Sequence, residues 1–563
     1  MYAQRVSDRL VALVPSATWL RAYRKTWLQP DVMAGLTSAA VVIPKAMAYA
    51  TIAGLPVQVG LYTVFVPMVV YALLGTSRPL SVSTTTTIAI LAAAELAEAV
   101  PGAAPAELIA AGGTLAVLVG IILVLSSLVR LGFVANFISE PVLIGFKSGI
   151  ALVIVVDQIP KLIGIHFDKS GFFRNLLAIA QHLPQTSQAT LLLAAFMLVL
   201  IAGLERFVPR APAPLIAVAV GIAATALLGL AQAGVETVGN IPRGLPPLVW
   251  PHLDLAARMW PAAAGIALMS FTESVAAARA FGGPGEPRPA PNQELLALGL
   301  ANVAGGIFGA MPAGGGTTQT AVNRRAGART QVAELVTAAA AIATLLLLAP
   351  LIALMPEAVL AAVVVAYSVD LIQPRDFQEI RRVRRTEFLW ALIAFGGVVL
   401  LGTLNGILVA VVASLFALAH QAYNPPVYML GRKRGTDVFR PRSEEHPDDE
   451  AWPGLLILRT EGRMFFANAQ GVGEKMWGLI EEQHPSVVLI DCSAVIDIEY
   501  TALKMLTEAE ERLERRGIAL WLAALNRNVL AMLRRSTLGG KLGRERLFLS
   551  VPMAVDQYST RLR

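Results

Sequence analysis

The sequence predicts an α-helical polytopic membrane protein of about fourteen spans, followed by a small α/β domain. Of its 563 residues, 55% are hydrophobic and only 15% are charged, whereas a soluble domain carries about 25% charged residues. Apolar runs close to the length of a bilayer span recur across residues 32–420. Beyond them, short β-rich segments alternate with helical patterns, which is typical of an α/β domain.

Eight of the apolar runs are clear spans, and six runs interrupted by polar residues bring the total to about fourteen. The clear spans are 32–49, 58–74, 106–129, 141–160, 190–204, 214–232, 331–351 and 386–401. The interrupted ones are 84–98, 261–281, 293–311, 317–329, 356–373 and 403–420.

Basic residues cluster where even-numbered spans end, as in the run RDFQEIRRVRR at 375–385. The loops after odd-numbered spans are poorer in Lys and Arg. The positive-inside rule therefore predicts that both termini are cytoplasmic, in a cell (inner) membrane. The net charge of +7 reflects this topology, so no nucleic-acid partner is predicted.

Composition divides the chain into four parts. We predict an N-terminal cytosolic segment (1–30), a transmembrane domain (31–420), a linker (421–453) and the α/β domain (454–563). The linker assignment rests on the charged, aperiodic run at 432–454. Within the last part the predicted strands are 455–460, 464–469, 487–493, 518–525 and 547–550, and the predicted helices are 470–483, 501–516 and 526–537.

The membrane part contains an internal repeat with a break in each half. AGLTSAAVVIPKAMAYA begins at Ala34 and AGIALMSFTESVAAARA begins at Ala264. Downstream, LSVSTTTT (80–87) and GGGTTQTAVN (314–323) each change from extended or Gly-rich residues to a hydroxyl-rich helix start. Broken backbone at membrane depth is tolerated where it lines a polar cavity, and a matched pair indicates a transporter's central site. If seven spans separate the halves, the second half is inverted.

The two helix starts are candidates for binding an anion. The first N–H groups of a helix lack partners within it, and the helix dipole is positive there. The hydroxyls of Thr84 and Thr85 on one side, and of Thr317 and Thr318 on the other, add donors beside Gln319. The alternative is that these hydroxyls bond only their own helices while the glycines allow close packing.

Two charged residues stand inside apolar spans, where each is costly. Lys45, after Pro44, is expected to face the cavity and balance the charge of an anion, with snorkelling to the surface as the alternative. Glu273 is the corresponding carboxylate of the second half. It is the candidate for carrying a coupled proton, with a structural ion pair or a sodium ligand as alternatives. A proton is favoured, because Ala277, one turn on, supplies no oxygen for sodium.

No motif predicts an active site, so the protein is not expected to be an enzyme, and neither a cofactor nor a metal is predicted. The sequence lacks GxxxxGK[ST], HExxH and clustered Cys and His residues. The single cysteine, Cys492, rules out an intramolecular disulfide.

Four segments resemble the sulfate permease (SulP) family, also called solute carrier family 26. They are residues 34–62, 136–165 and 292–331, and IDCSAVIDIEYTALKML at 490–506, which is similar to the STAS domain of these transporters. The resemblance implies fourteen spans in 7+7 inverted repeats, a core domain that moves against a gate domain, and a homodimer.

Carried over residue by residue, the family's anion site falls on Lys45, Tyr49, Thr84, Thr85, Glu273, Thr317, Thr318 and Gln319. Many members have Gln at the position of Lys45 and Arg at that of Gln319. The fixed cation is thus expected on the first span instead of the tenth. Since Lys is a point charge and Arg a planar fork, anion selectivity is expected to differ.

The resulting expectation is a secondary-active transporter that moves sulfate or a similar oxyanion across the plasma membrane, by proton coupling or exchange. Paired helix ends and a cation suit a tetrahedral dianion. The alternatives are a bicarbonate or dicarboxylate transporter and an uncoupled anion channel. A nucleobase permease of similar architecture would have no use for Lys45.

Overall fold

The structure is a computed structural model that describes residues 15–136, 139–167, 171–209, 211–239, 241, 244–283, 286, 288–369 and 371–562. Residues 1–14 of the predicted N-terminal segment lie outside these ranges. The chain forms two compact units, Met1–Leu415 and Phe416–Arg563. The boundary falls within a helix, and each unit is described by itself.

The first half of the membrane unit contains nine helices among its described residues, and a two-residue strand. They are α1 (Ser16–Arg21), α2 (Lys25–Ile52), α3 (Gln58–Leu74), β1 (Val82–Ser83), α4 (Thr86–Ala99), α5 (Pro105–Leu128), α6 (Glu140–Ile163), α7 (Phe172–His182), α8 (Gln188–Phe207) and α9 (Ala213–Leu228). Short 3-10 turns at Leu131–Asn136 and Leu183–Gln185 join some of them.

The second half repeats this order. It contains α10 (Leu253–Phe281), α11 (Pro291–Ile307), β2 (Gly314–Gly315), α12 (Thr317–Arg325), α13 (Val332–Leu347), α14 (Ala349–Ile352), α15 (Glu357–Val369), α16 (Pro374–Val383), α17 (Arg385–Leu401) and α18 (Thr403–Tyr423). The polar helices α7 and α16 both follow the fifth span of their half, which is a further sign of the repeat.

Fourteen of these helices match the predicted spans, and the sequence-based fold class is confirmed. Six described helical segments are long and apolar enough to cross a bilayer, and four others are shorter apolar helices. The remaining four spans are α11, α17 and the two broken ones, β1–α4 and β2–α12. The predicted boundary at residue 30 falls inside α2, which starts at Lys25.

Helices of the two halves pack reciprocally, as an inverted repeat requires. The first helix of each half packs on the fourth of the other, in the pairs α2–α13 and α10–α5. The second helix of each half does the same, in α3–α13 and α11–α5. The sixth helix of each half packs on the fifth of the other, in α8–α15 and α17–α6. We call α2–α5 with α10–α13 the core domain, and α6, α8, α9, α15, α17 and α18 the gate domain.

Glycines bring α5 and α11 into backbone contact. A Cβ on Gly113 would lie 2.6 Å from the carbonyl oxygen of Gly306, and a Cβ on Gly306 would lie 2.4 Å from that of Gly113. Gly120 and Gly299 form a second such pair about two turns along each helix. Small residues allow this approach in a membrane, where packing stabilises helix pairs in place of the hydrophobic effect.

The two broken spans meet as a short antiparallel ribbon. Val82 pairs with Gly315 and Ser83 with Gly314, and the N–H of Gly316 donates to the carbonyl of Ser81 at 3.1 Å. The ribbon satisfies backbone groups that lie outside any helix. Because α4 and α12 begin directly after the paired strands, both helix starts lie at the ribbon.

The C-terminal unit is built on a six-stranded sheet. Its strands are β3 (Val427–Arg432), β4 (Phe439–Pro441), β5 (Leu455–Thr460), β7 (Val487–Asp491), β9 (Ala519–Ala523) and β10 (Leu547–Phe548), in the order β10-β9-β7-β5-β3-β4. The β10-β9-β7-β5 part is parallel, and β3 is antiparallel to both of its neighbours. A separate parallel pair joins β6 (Gly462–Met464) and β8 (Val495–Ile498).

Successive residues of these strands point to opposite faces of the sheet and contribute to two apolar cores, one on each face. One core contains Leu458, Ile490 and Leu522 and is covered by α19 (Ala469–Gln483), α20 (Tyr500–Arg515), α21 (Arg527–Arg534) and α22 (Thr537–Leu542). The other contains Leu489 and Trp521 and is covered by α23 (Val551–Leu562).

The C-terminal unit departs from the sequence-based expectation in two places. Residues 427–441, expected in a linker, contain β3 and β4. The turn at 433–438 between them is exposed and β4 is the edge strand, so both tolerate the charges that suggested a linker. Within residues 464–469, expected as a strand, only Met464 belongs to one, as the end of β6, and 465–468 form a turn before α19. There the side-chain oxygen of Asn468 accepts from the N–H of Phe465 at 2.9 Å.

Candidate anion-binding site

A cavity of about 50 Å³ lies at the two helix starts. It is lined by Lys45, Tyr49, Thr85, Thr86, Thr87, Lys147, Glu273, Gly316, Thr317, Thr318, Gln319 and Leu371. Most of these side chains carry hydroxyl, amide or charged groups, although the surrounding helices are apolar. A cavity of this size accommodates a small ion or a few waters, whereas pockets for drug-sized ligands have volumes of about 300–1,000 Å³.

The N-terminus of α4 is capped by a side chain. Thr85 is its N-cap, and the Thr85 hydroxyl accepts from the N–H of Ile88 at 3.3 Å. The same hydroxyl donates to Glu273 Oε2 at 3.1 Å, and the Thr87 hydroxyl donates to Glu273 Oε1 at 3.0 Å. The first helix start is therefore fixed to the carboxylate of the second half.

The N-terminus of α12, by comparison, has no side-chain cap. Its N-cap is Gly316, which has no side chain to accept from the first turn. Thr317 and Thr318 are exposed, so their N–H groups and hydroxyls are available at the cavity. Gln319 is held in place, since its amide oxygen accepts from Ser83 at 2.8 Å and its amide nitrogen donates to the Thr84 carbonyl at 3.2 Å. This helix end has the uncapped N–H groups that can bind an anion.

Glu273 forms an ion pair with a lysine that sequence reasoning missed. Lys147 Nζ on α6 lies 3.5 Å from Glu273 Oε1, and only 7% of the glutamate side chain is exposed. The carboxylate thus accepts from two hydroxyl groups and lies beside one ammonium group. The signal for Lys147 was present, because it stands inside the apolar run 141–160 just as Lys45 stands inside 32–49.

Lys45 is fully buried on α2, with 1% of its surface exposed. Its ammonium group lies over the ring of Tyr367 on α15, 3.5 Å from the ring centroid. A cation over an aromatic face is stabilised electrostatically when water is excluded. Tyr367 was also missed, since an aromatic residue in an apolar helix carries no sequence signal for a site.

Both contacts connect the core domain to the gate domain beside the cavity. Glu273 and Lys45 belong to the core, while Lys147 and Tyr367 belong to the gate. One contact pairs the first helix of the second half with the fifth of the first half, and the other does the converse. Movement of the core against the gate has to break both.

Seven of the eight residues expected at the site line this cavity. The exception is Thr84, which is fully buried and contributes its carbonyl to Gln319 instead of a hydroxyl to the cavity. The structure therefore brings the expected residues of both halves together, with Thr84 placed behind them.

Three further carboxylates are buried behind the site, and none was expected from the sequence. Glu334 accepts from Ser81 at 2.9 Å. Glu294 accepts from Tyr71 at 2.7 Å and from Thr76. Asp31 accepts from Thr330 and from backbone N–H groups in the loop before α13. The donors to these carboxylates are mainly hydroxyls and N–H groups of neighbouring segments. We therefore interpret the three clusters as structural supports around the ribbon.

Reciprocally packed halves, two broken spans and a polar cavity at their ends define a multi-pass membrane transporter. Residues 28–394 match the sulfate permease family, and residues 446–554 match the STAS domain. The chain belongs to the sulfate permease family. It is a transporter of that family and not an enzyme.

Relatives match the chain over nearly its whole length. A probable sulfate transporter of Mycobacterium tuberculosis (strain H37Rv) is 34% identical over 552 residues, covering 97% of this chain and 98% of the relative. The chloroplastic sulfate transporter 4.1 of Arabidopsis thaliana is 31% identical, covering 98% and 83%.

Two solved structures share the fold. The murine solute carrier 26 family member A9 anion transporter has a TM-score of 0.90 at 23% identity, covering 98% of this chain and 95% of that one. The transmembrane domain of the cyanobacterial bicarbonate transporter BicA has a TM-score of 0.62 at 24% identity, covering 70% and 98%.

Proposed function

We propose that this protein is a secondary-active transporter that moves sulfate, or a similar small oxyanion, across the plasma membrane. The anion binds in the cavity between the starts of α4 and α12. The observation that carries the proposal is that both helix starts, two lysines and a small polar cavity coincide at one place.

The charge and hydrogen-bonding groups of the cavity favour an oxyanion. Lys45 and Lys147 supply two positive charges, and α12 supplies open N–H groups and two threonine hydroxyls. An oxyanion with several acceptor oxygens uses charge-assisted and neutral donors at once. The names of the relatives from Mycobacterium and Arabidopsis add support for sulfate. Bicarbonate and a dicarboxylate are the alternative substrates.

Alternating access follows from the two contacts between core and gate. An anion that draws Lys45 from Tyr367, or Lys147 from Glu273, weakens the contacts that hold the core against the gate. The core then rocks and carries both helix starts with it. An uncoupled channel would use the same cavity without this movement.

Glu273 is the proposed carrier of a coupled proton. When Lys147 moves away with the gate, the buried carboxylate loses its cationic partner, and protonation then compensates for its desolvation. Sodium is less favoured. The described residues contain no group of three or more His, Cys, Asp or Glu side chains suited to a metal ion.

Both termini are proposed to be cytoplasmic, with the protein acting as a homodimer. The topology rests on the basic ends of even-numbered spans, including the arginines of α16 and the start of α17. A homodimer is the arrangement that the family resemblance implies.

The test is uptake into proteoliposomes of labelled sulfate, bicarbonate and fumarate under imposed proton and sodium gradients. Wild type is expected to accumulate sulfate above its equilibrium level when a proton gradient is imposed. Lys45→Gln is expected to lower uptake by about tenfold or more, because loss of one charge-assisted contact costs about 1.5–3 kcal/mol.

Lys161→Gln is the matched control. Lys161 lies on α6 like Lys147, but it pairs with Glu357 at 3.3 Å and lies outside the cavity. Sulfate uptake that is unaltered in Lys45→Gln would contradict the proposed site. If bicarbonate or fumarate accumulates in preference to sulfate, that anion is the substrate. If the anion equilibrates without accumulating, the protein is a channel.

A second prediction concerns coupling. Glu273→Gln keeps one acceptor oxygen in place of the two that Thr85 and Thr87 use, and it cannot exchange a proton. It is expected to abolish uptake driven by a pH gradient while preserving anion exchange, measured as efflux of labelled anion against unlabelled anion. Retention of pH-driven uptake would remove Glu273 from this role.

A further inference from the structure

The C-terminal unit contains a cavity that the transport cycle does not use. Its volume is about 550 Å³, within the range of about 300–1,000 Å³ that small organic ligands occupy. It lies between the sheet and helices α19 and α20. Protein interiors are close-packed and contain few voids larger than a water molecule, so a cavity of this size in a small domain requires an explanation.

The interior of this cavity is apolar and adaptable. Its lining includes Met464, Met476, Ile490, Leu503 and Leu506. The hydroxyl of Thr460, one of the few polar groups in the lining, already donates to the carbonyl of Pro426 at 3.1 Å. Flexible methionines fill irregular spaces and suit ligands of variable shape. The interior therefore fits an alkyl chain and offers little to a nucleotide or a sugar.

The mouth of the cavity carries two arginines suited to an anionic head group. Arg512 and Arg515 are exposed residues of α20 that border the cavity. Among the described residues, neither has a carboxylate within 4.0 Å. The guanidinium of Arg512 lies 4.1 Å from the ring centroid of Trp477, which fixes its position at the opening.

Two of the three acidic residues that border the same opening have cationic partners of their own. Glu511 is paired with Lys541 at 2.5 Å, and Lys541 holds the pKa of the Glu511 carboxyl below its usual range. Glu508 lies 3.9 Å from Lys504. Glu474 accepts from Gln470 at 3.0 Å. Arg512 is thus the cation best placed for a ligand.

We propose that this cavity binds a long-chain fatty acid, with the alkyl chain among the methionines and leucines and the carboxylate at Arg512. The apolar interior and the cationic rim match the two ends of such an amphiphile. The site is separate from the anion cavity of the membrane unit and does not depend on the transported substrate.

Helix α19 offers a matched pair of variants for the test. Gly473 lines the cavity, and a Cβ built on it meets no atom within 4 Å. Gly478 on the same helix has equally open space but does not line the cavity. Gly473→Leu therefore places a side chain in the cavity, while Gly478→Leu makes the same change in helix propensity outside it.

The experiment is photolabelling of the full chain in lipid nanodiscs with a diazirine-bearing fatty acid, followed by peptide mapping. Saturable labelling is expected in the peptides of α19 and α20, displaced by unlabelled palmitate and not by its methyl ester. Gly473→Leu is expected to abolish this labelling, Gly478→Leu to preserve it, and Arg512→Gln to weaken apparent affinity about tenfold through loss of a charge-assisted contact.

Three results would overturn the proposal: no saturable label in α19 or α20 of the wild type, equal labelling of Gly473→Leu, or equal competition by palmitate and its methyl ester. A parallel experiment with a diazirine-bearing phosphatidylglycerol distinguishes a free fatty acid from a membrane lipid as the ligand. Labelling by that lipid alone would also overturn the proposal. Arg512→Gln changes an exposed residue, so its effect is readable even if Gly473→Leu perturbs folding.

Discussion

The two cavities of this protein are opposites in chemistry. In the membrane unit, apolar helices surround a small cavity lined by lysines, a glutamate and hydroxyls. In the C-terminal unit, a charged exterior surrounds a large cavity lined by aliphatic and methionine side chains. Each cavity offers what its surroundings lack. A binding site is therefore recognised by contrast with the medium around it: charge matters within lipid, and apolar volume matters within a soluble domain.

The two units also satisfy buried carboxylates differently. In the membrane unit, Glu334 and Glu294 accept mainly from hydroxyls, and Glu273 at the cavity has the lysine Lys147. In the C-terminal unit, Asp491 is paired with Arg459 at 2.6 Å, with 1% of the aspartate side chain exposed. Close to water a charged partner is readily supplied by an arginine that stays partly exposed, whereas in lipid each added charge is costly.

The largest expected effect tests that dependence on arginine. Arg459→Ala leaves the Asp491 carboxylate buried without a cation, and breaking a buried pair costs about 3–5 kcal/mol. Native-state hydrogen exchange of the β7 amides in the full chain measures the loss. Lys504→Ala, which removes an exposed partner of Glu508, is the control and is expected to leave these amides unchanged. Unchanged protection in Arg459→Ala would show that both units stabilise carboxylates in the same way.

An intermediate effect compares a glycine of the β1–β2 ribbon with a glycine that lines the cavity of the C-terminal unit. Gly315→Ala places a Cβ 2.9 Å from the backbone Cα of Ser274, and such overpacking costs about 1–3 kcal/mol. Gly473→Ala meets open space and is expected to be neutral or stabilising, since Ala is the better helix former. Thermal unfolding of the purified variants measures both changes. Equal loss of stability would mean that the C-terminal cavity is not open in solution.

The smallest expected effect is on reactivity and leaves stability unchanged. Burial raises the pKa of the Cys492 thiol to about 12, with Asp491 adding to the rise. Because Cys492 lines the apolar cavity, the thiolate should form only as pH approaches that value. At pH 8 we expect alkylation by iodoacetamide to be about a thousandfold slower than for a free thiol of pKa near 8.5.

The chain has one cysteine, so mass spectrometry reads this rate without interference. The rate should rise about tenfold per pH unit while the domain stays folded, because the thiolate fraction rises by that factor. Alkylation at the rate of a free thiol would show that water and ions enter the cavity of the C-terminal unit as readily as they enter the cavity of the membrane unit.

Much of the membrane site could be predicted from the sequence, because polar residues inside apolar runs have a strong physical signal. That signal located both helix starts, Lys45 and Glu273. It applied equally to Lys147, which was overlooked. Tyr367 could not have been found in this way, because its function depends on the helix that packs opposite it. The same holds for Thr84, whose orientation depends on the pairing of β1 with β2.

The C-terminal unit was predictable in its central strands and not at its edges. β5, β7 and β9 are buried on both faces, so their sequences are continuous apolar runs. Strands β3 and β4, the last two at one side of the sheet, carry charges and lie in a stretch that resembles a linker. The large cavity leaves no pattern at all, because methionines and leucines facing a void look the same as those facing a neighbour.

The ionised side chains of the anion cavity also have an electrical consequence. Among the described residues that line it, Lys45, Lys147 and Glu273 carry charges that sum to plus one. A monovalent anion neutralises this sum, whereas a divalent anion does so only if Glu273 is protonated. A cycle that carries one dianion with one proton moves a single net negative charge. A membrane potential of 100 mV then acts on it with about 2.3 kcal/mol, so the charge moved per sulfate taken up should report whether a proton accompanies the anion.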